Sequence, residues 1–191
     1  MRRPRAPGVC CTGVEMHLLD HGVTRVQYCE DTSDWARSLA LDCRLVVPGA
    51  TQMTRREVFA EVGPLDEDLP RFEDWDWLLR YTQQGGGIAA VREPLARVFN
   101  RRGRLGDLVA LSAERFAAKH AAVFAALSPA DRADALGDLW LQVVGTYAFE
   151  GRFQAAVPYA WKAFALRPRR TLARLIAGAG AVMKGRLRRV R

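Results

Sequence analysis

Through the first hundred positions the apolar residues fall in short runs broken by Gly, Pro and Asp; from there almost to the end they recur at helical spacing. Val9–Leu18 and residues 23–29 read as strands, with Asp20-His21-Gly22 as the turn between them. Thr32-Ser33-Asp34 predicts the cap of a short helix ending at Leu41. Residues 45–48 and 51–54 read as one strand interrupted by Pro48-Gly49. Arg56–Val62 predicts a short helix stopped by Gly63-Pro64, because glycine relieves left-handed strain past a helix end and proline cannot continue the helix. An acidic loop over 65–71 then feeds a helix over 74–84, and a short strand follows over 88–91.

After Arg101-Arg102-Gly103-Arg104 the pattern is helical, rich in Ala and Leu. Helices are expected over 105–127, 129–150 and 153–166, the second opened by Ser128 as cap with Pro129 in the first turn. In the last two, Trp140, Val143, Tyr147, Gly151, Ala156, Ala163 and Pro168 fall at spacings that resemble the tetratricopeptide repeat of roughly 34 residues. Val144 stands where that repeat carries Gly. A single copy cannot bury its own faces. The hairpin is therefore expected to pack on the 105–127 helix or on a partner.

Bulk properties narrow the class. The chain has 191 residues, 49% hydrophobic and 26% charged, which suits folded domains and excludes global disorder. The net charge of +8 is concentrated: from Arg167 onward there are nine basic residues and no acid, so the remainder is within one charge of neutral. That balance argues against a nucleic-acid binder, and none is expected as a partner. No apolar run reaches the length of a membrane span. The start, Met1-Arg2-Arg3-Pro4-Arg5-Ala6-Pro7-Gly8, lacks the apolar stretch of a secretory signal. The expectation is a cytoplasmic protein, peripheral on the inner face of the membrane if the tail over 167–191 binds an anionic surface. Cys10, Cys11, Cys29 and Cys43 lack metal-ligand spacing and read as buried thiols in a reducing compartment, with no metal site assigned. His17, His21 and His120 are scattered and carry no assigned role.

The densest chemistry lies in Arg71-Phe72-Glu73-Asp74-Trp75-Asp76-Trp77-Leu78-Leu79-Arg80. Three carboxylates fall within four positions, interleaved with two indoles, where a helical pattern begins. A helix N-terminus favours an ionised carboxylate, whereas shielding by indoles disfavours it. Acids before a helix are also common caps that catalyse nothing. The tryptophans suit a core or a sugar-stacking platform, and both readings stay open at this point.

The surrounding motifs tip the balance. Pro48-Gly49-Ala50-Thr51, Arg55-Arg56-Glu57-Val58-Phe59, Val62-Gly63-Pro64-Leu65-Asp66-Glu67 and Glu73-Asp74-Trp75-Asp76, followed by Leu78-Leu79-Arg80 and Gly85-Gly86-Gly87, resemble in order the second half of a family 2 inverting glycosyltransferase. The resemblance covers about residues 9–100. It implies a fold of the GT-A type and transfer of a sugar from a nucleotide-sugar donor to a hydroxyl acceptor, lipid-linked or in the cell envelope. It further implies Asp74 as catalytic base with Glu73 beside it, and Gly49, Ala50, Thr51, Arg56 and Asp76 as substrate-binding residues. Arg55 and Arg56 could each face phosphate or solvent. The complete enzyme would use a divalent metal, Mg²⁺ or Mn²⁺, held by an Asp-x-Asp motif. That motif and the nucleotide-binding half have no counterpart here, since Asp31-Thr32-Ser33-Asp34 and Asp66-Glu67-Asp68 come too late in the order. Val98-Phe99-Asn100-Arg101-Arg102 also stands where many relatives carry Tyr-Arg-x-His.

The expected architecture is thus α/β: a partial GT-A-type mixed sheet with flanking helices over 1–103, an all-α region with the tetratricopeptide-like hairpin over 104–168, and a basic amphipathic tail over 169–191. The alternative is a non-catalytic helical interaction module whose basic tail lies on a membrane surface.

Overall fold

A computed structural model describes residues 7–19, 22–42, 47–100 and 103–187, with Asn100 and residues 178–187 as backbone only. The fold is α/β, and the chain divides into two compact units, 1–104 and 105–191. Asp20 and His21 of the expected turn, Cys43, residues 45–46, Arg101, Arg102 and 188–191 lie outside the described residues.

The first unit is organised around β1 (Val9–Leu18), whose Val9, Cys11 and Val14 are fully buried. On one side, β2 (Val23–Gln27) runs antiparallel to its second half, and β3 (Gln52–Thr54) antiparallel to its start. On the other side, β4 (Ile88–Asn100) runs parallel along its whole length, so the sheet is mixed. Register shifts around Gly13 leave Arg92 and Glu93 without partners on β1. Pro94 sits in that irregular stretch, where a missing N–H is tolerated. The strand begins at Ile88 as the pattern indicated but does not stop at Val91: pairing with β1 carries it across the bulge and Pro94 to Asn100.

Helices pack on this sheet. In α1 (Trp35–Leu41) the Asp34 carboxylate accepts from Arg37 N at 2.9 Å, the cap read from the sequence. Where a broken strand was expected, Pro48–Thr51 forms a one-turn helix, α2, followed by β3. Proline pre-sets φ for a first helical position, and Thr51 Oγ1 donates to the Val47 carbonyl at 3.3 Å, closing the turn. Helix α3 (Arg56–Val62) ends at Gly63, whose φ of 89° only glycine adopts readily.

The central helix is α4 (Glu73–Gln83), nearly all of whose residues from Trp75 to Thr82 are buried. Trp75 Nε1 donates to Leu39 O on α1, and Trp77 Nε1 to Gly63 O beyond α3, each at 2.8 Å. Trp77 stacks between Phe59 and Tyr81. Burying a side chain of this size contributes on the order of 2–3 kcal/mol each. Both indoles are therefore core, which settles the choice left open above.

The second unit is all helical: α5 (Gly106–Lys119), α6 (Ala121–Ala126), α7 (Pro129–Phe149), α8 (Phe153–Leu166) and α9 (Pro168–Leu187). The single helix expected over 105–127 is broken at His120, whose backbone leaves helical geometry. The break folds α6 back so that Phe116, buried His120 and Phe124 cluster. Helices α7 and α8 form an antiparallel hairpin lined by buried Val143, Tyr147, Ala156 and Ala163. The hairpin packs on α5: Glu150 Oε1 accepts from Leu105 N at 2.6 Å and Gly106 N at 2.7 Å, satisfying donors the α5 start leaves open. Tyr159 and Lys162 of α8 both reach Glu114 of α5. Among the described residues no helix is long and apolar enough to cross a membrane.

Candidate functional site

Asp74 lies in the first turn of α4, where backbone N–H groups lack helical partners. Its Oδ1 accepts from Trp75 N at 2.7 Å, and its Oδ2 accepts from Gly49 N on α2 at 3.0 Å. Two pieces of sequence 25 residues apart thus meet at one carboxylate. Helix α2 in turn packs on β1, so this contact links the start of α4 to a turn seated on that strand.

Backbone strain marks the same place. Among the described residues the non-glycine positions with positive φ are Val47, at 49°, and Phe72, at 68°. Val47 precedes α2 and Phe72 precedes α4, so each launches one of the two helices that meet at Asp74. A β-branched residue in the left-handed region is a true outlier. Such conformations cost about 1–3 kcal/mol and concentrate at functional sites. Sequence reading missed both, since neither a valine nor a phenylalanine signals left-handed backbone.

The other expected residues divide by environment. Glu73 is half-buried, and its carboxylate has no partner among the described residues. Gly49 and Ala50 are exposed beside Asp74, and among the described residues a side chain at Gly49 would meet Asp74 Oδ2 alone, at an ordinary 3.6 Å. Thr51 is buried with its hydroxyl turned to Val47 O, so it closes the turn and does not face outward. Arg56 is exposed at the start of α3 and makes no hydrogen bond or ion pair among the described residues.

Asp76 departs from expectation. It is wholly buried and accepts from Arg80 Nε at 3.0 Å, while Arg80 also donates to Val62 O at 2.8 Å and Pro64 O at 2.7 Å. The pair ties α4 to the end of α3, and a carboxylate so enclosed is no substrate contact. Its signal was present in the sequence as an acid and an arginine four residues apart on a helix.

A divalent metal does not fit these residues. Among the described residues no group of three His, Cys, Asp or Glu side chains gathers to hold one. A pocket of about 210 Å³ lies toward the other end of α4, lined by Gly8, Arg55, Val58, Tyr81 and Gly86 among others. It includes neither Glu73 nor Asp74. Beside the carboxylate, Gly49 and Ala50 are exposed. No protein family, curated protein or solved structure matches the chain.

Proposed function

We propose that the first unit is the acceptor side of an inverting glycosyltransferase of the family 2 type, with a GT-A-like sheet and Asp74 as its base. The observation that carries the reading is the 3.0 Å contact from Gly49 N to Asp74 Oδ2. It joins the two motifs that the resemblance assigns to the sugar-facing turn and to the base. The strained Val47 and Phe72 on either side support the same location.

The chemistry follows from the arrangement. An acceptor hydroxyl over the Gly49-Ala50 turn loses its proton to Asp74 as its oxygen forms a bond to the anomeric carbon. The bond from that carbon to the nucleotide diphosphate breaks on the opposite face, giving inversion and a released diphosphate. Glu73, one residue earlier and without a partner among the described residues, is placed to orient a second acceptor hydroxyl. In this reading the diphosphate is held by protein beyond the residues described here, and no step is assigned to a metal.

The test is a transfer assay with several sugar nucleotides and hydroxyl acceptors, on the chain joined to whatever coding sequence precedes it. Asp74→Asn should lower turnover by about 10²–10⁴-fold with unchanged thermal unfolding. Undiminished turnover in that variant would sink the proposal. So would preceding sequence devoid of a βαβ pattern ending in Asp-x-Asp.

A further inference from the structure

Over residues 168–177, helix α9 docks by its charged side and leaves its large apolar residues exposed. Arg167, just before α9, and Arg170 both pair with Asp134 on α7. Arg170 also meets Asp138 at 2.9 Å, and Arg174 lies 3.6 Å from the same carboxylate. Thr171 is fully buried beside them. Positions 170, 171 and 174 therefore define the face turned to α7. Leu172, Leu175 and Ile176 occupy another stripe and are 49%, 36% and 72% exposed. In the sequence that stripe continues at helical spacing through Ala179, Val182 and Met183.

This arrangement inverts the usual one, in which a surface helix buries its apolar stripe and turns its charges to water. An apolar surface would suit Leu172 and Ile176, and the charge nearby says what kind of surface that is. The acids of α7 pair with the cations at the start of the helix. Lys184, Arg186, Arg188, Arg189 and Arg191 follow within the last eight residues, with no acid from 167 onward. An apolar stripe running into dense cations matches an anionic bilayer surface, whose headgroups take the charges while the acyl boundary takes the stripe.

We propose that α9 is an in-plane membrane-surface helix, held to its unit by the arginine pairs to Asp134 and Asp138. This rests on the second unit alone and stands or falls separately from the glycosyltransferase reading. The test is co-sedimentation of the full chain with vesicles of phosphatidylcholine, alone or mixed with phosphatidylglycerol. The chain should bind the mixed vesicles, more weakly at about 1 M than at about 0.1 M salt. Leu172→Ser with Ile176→Ser should lower partitioning at least about tenfold. Both positions are exposed, so circular dichroism and elution volume should not change. Failure of the natural chain to bind, equal binding to neutral vesicles, or equal binding by the double variant would each overturn the proposal. A lipid-free dimer that the double variant converts to monomer would assign the stripe to a second copy, and overturn it too.

Discussion

Arg80 Nε lies 3.0 Å from the carboxylate of Asp76, one helical turn earlier and wholly out of solvent. The other two guanidinium nitrogens donate to Val62 O and Pro64 O, so a single arginine neutralises a buried acid and fastens the loop after α3. Removing the arginine would leave a buried carboxylate without its Arg80 partner, and removing the acid would leave an arginine partly desolvated. Breaking such a pair costs about 3–5 kcal/mol. Arg80→Met should cost this much in urea unfolding of the first unit, and Asp76→Ala somewhat less, because Arg80 keeps some contact with water. A variant at Asp76 that unfolds like the natural chain would show the pair to be idle and reopen a ligand role for that acid.

Cys11 and Cys29 should be chemically silent in the folded chain. Burial, first, and neighbouring thiols and acids, second, push the Cys11 thiol up to about 12. Burial and Asp31 push Cys29 up to about 11. The thiolate is the reacting form, so at pH 8 both groups are almost wholly unreactive. Iodoacetamide followed by peptide mass mapping should label neither residue until denaturant is added. Fast native labelling at Cys11 would mean that β1 is not sealed from solvent as its burial indicates.

Gly86 is fixed by the ring of Tyr81. A methyl group at position 86 would fall 2.3 Å from Tyr81 Cε2 and Cζ, inside any tolerable contact. The ring has little freedom to yield, since its hydroxyl accepts from Gly8 N at 3.0 Å and donates to Gly87 O at 2.9 Å. Gly86→Ala should therefore destabilise the first unit by about 1–3 kcal/mol, the usual cost of overpacking. Gly85→Ala, which meets no neighbour, probes instead the cost of positive φ alone. If Gly86→Ala is neutral by thermal unfolding, the Tyr81 link to β1 is not rigid.

What the sequence disclosed and what it hid follow a physical division. Arg56–Val62 and Phe153–Leu166 were legible to the residue because their stops, Gly63-Pro64 and Pro168, are local chemistry. The α2 turn was not legible, because Pro-Gly punctuates a strand as readily as it opens a helix. The break at His120 has no breaker residue; it comes from burying Phe116, His120 and Phe124 together, a tertiary event. At the site, the meeting of Gly49 with Asp74 could be anticipated only through motif order. The inward turn of Asp76 was readable from Arg80, but three acids within four positions at a helix start conceal which one faces the core.

Asp107 gives the second unit an acid-sensitive tie. The Arg152 guanidinium grips it through both oxygens, at 2.8 and 2.9 Å, and Tyr147 donates to it at 3.0 Å. These hydrogen bonds, with Arg152 the larger influence, hold its carboxyl below the ordinary value of 3.8. A folded-state pKa below the unfolded one means the stabilisation is fully present above the ordinary aspartate range. It is lost as pH falls through the lower, folded value. The natural chain should thus be more stable than Asp107→Asn from neutrality down to about pH 5, and the gap should close as the solution is taken well below 3.8. The pair is exposed to solvent, so added salt should narrow the gap at neutral pH as well. Thermal unfolding followed by circular dichroism, run on both proteins across that range, reads the difference directly. A gap that persists unchanged in acid would show that the variant acts through packing around Tyr147, with the Arg152 charge irrelevant.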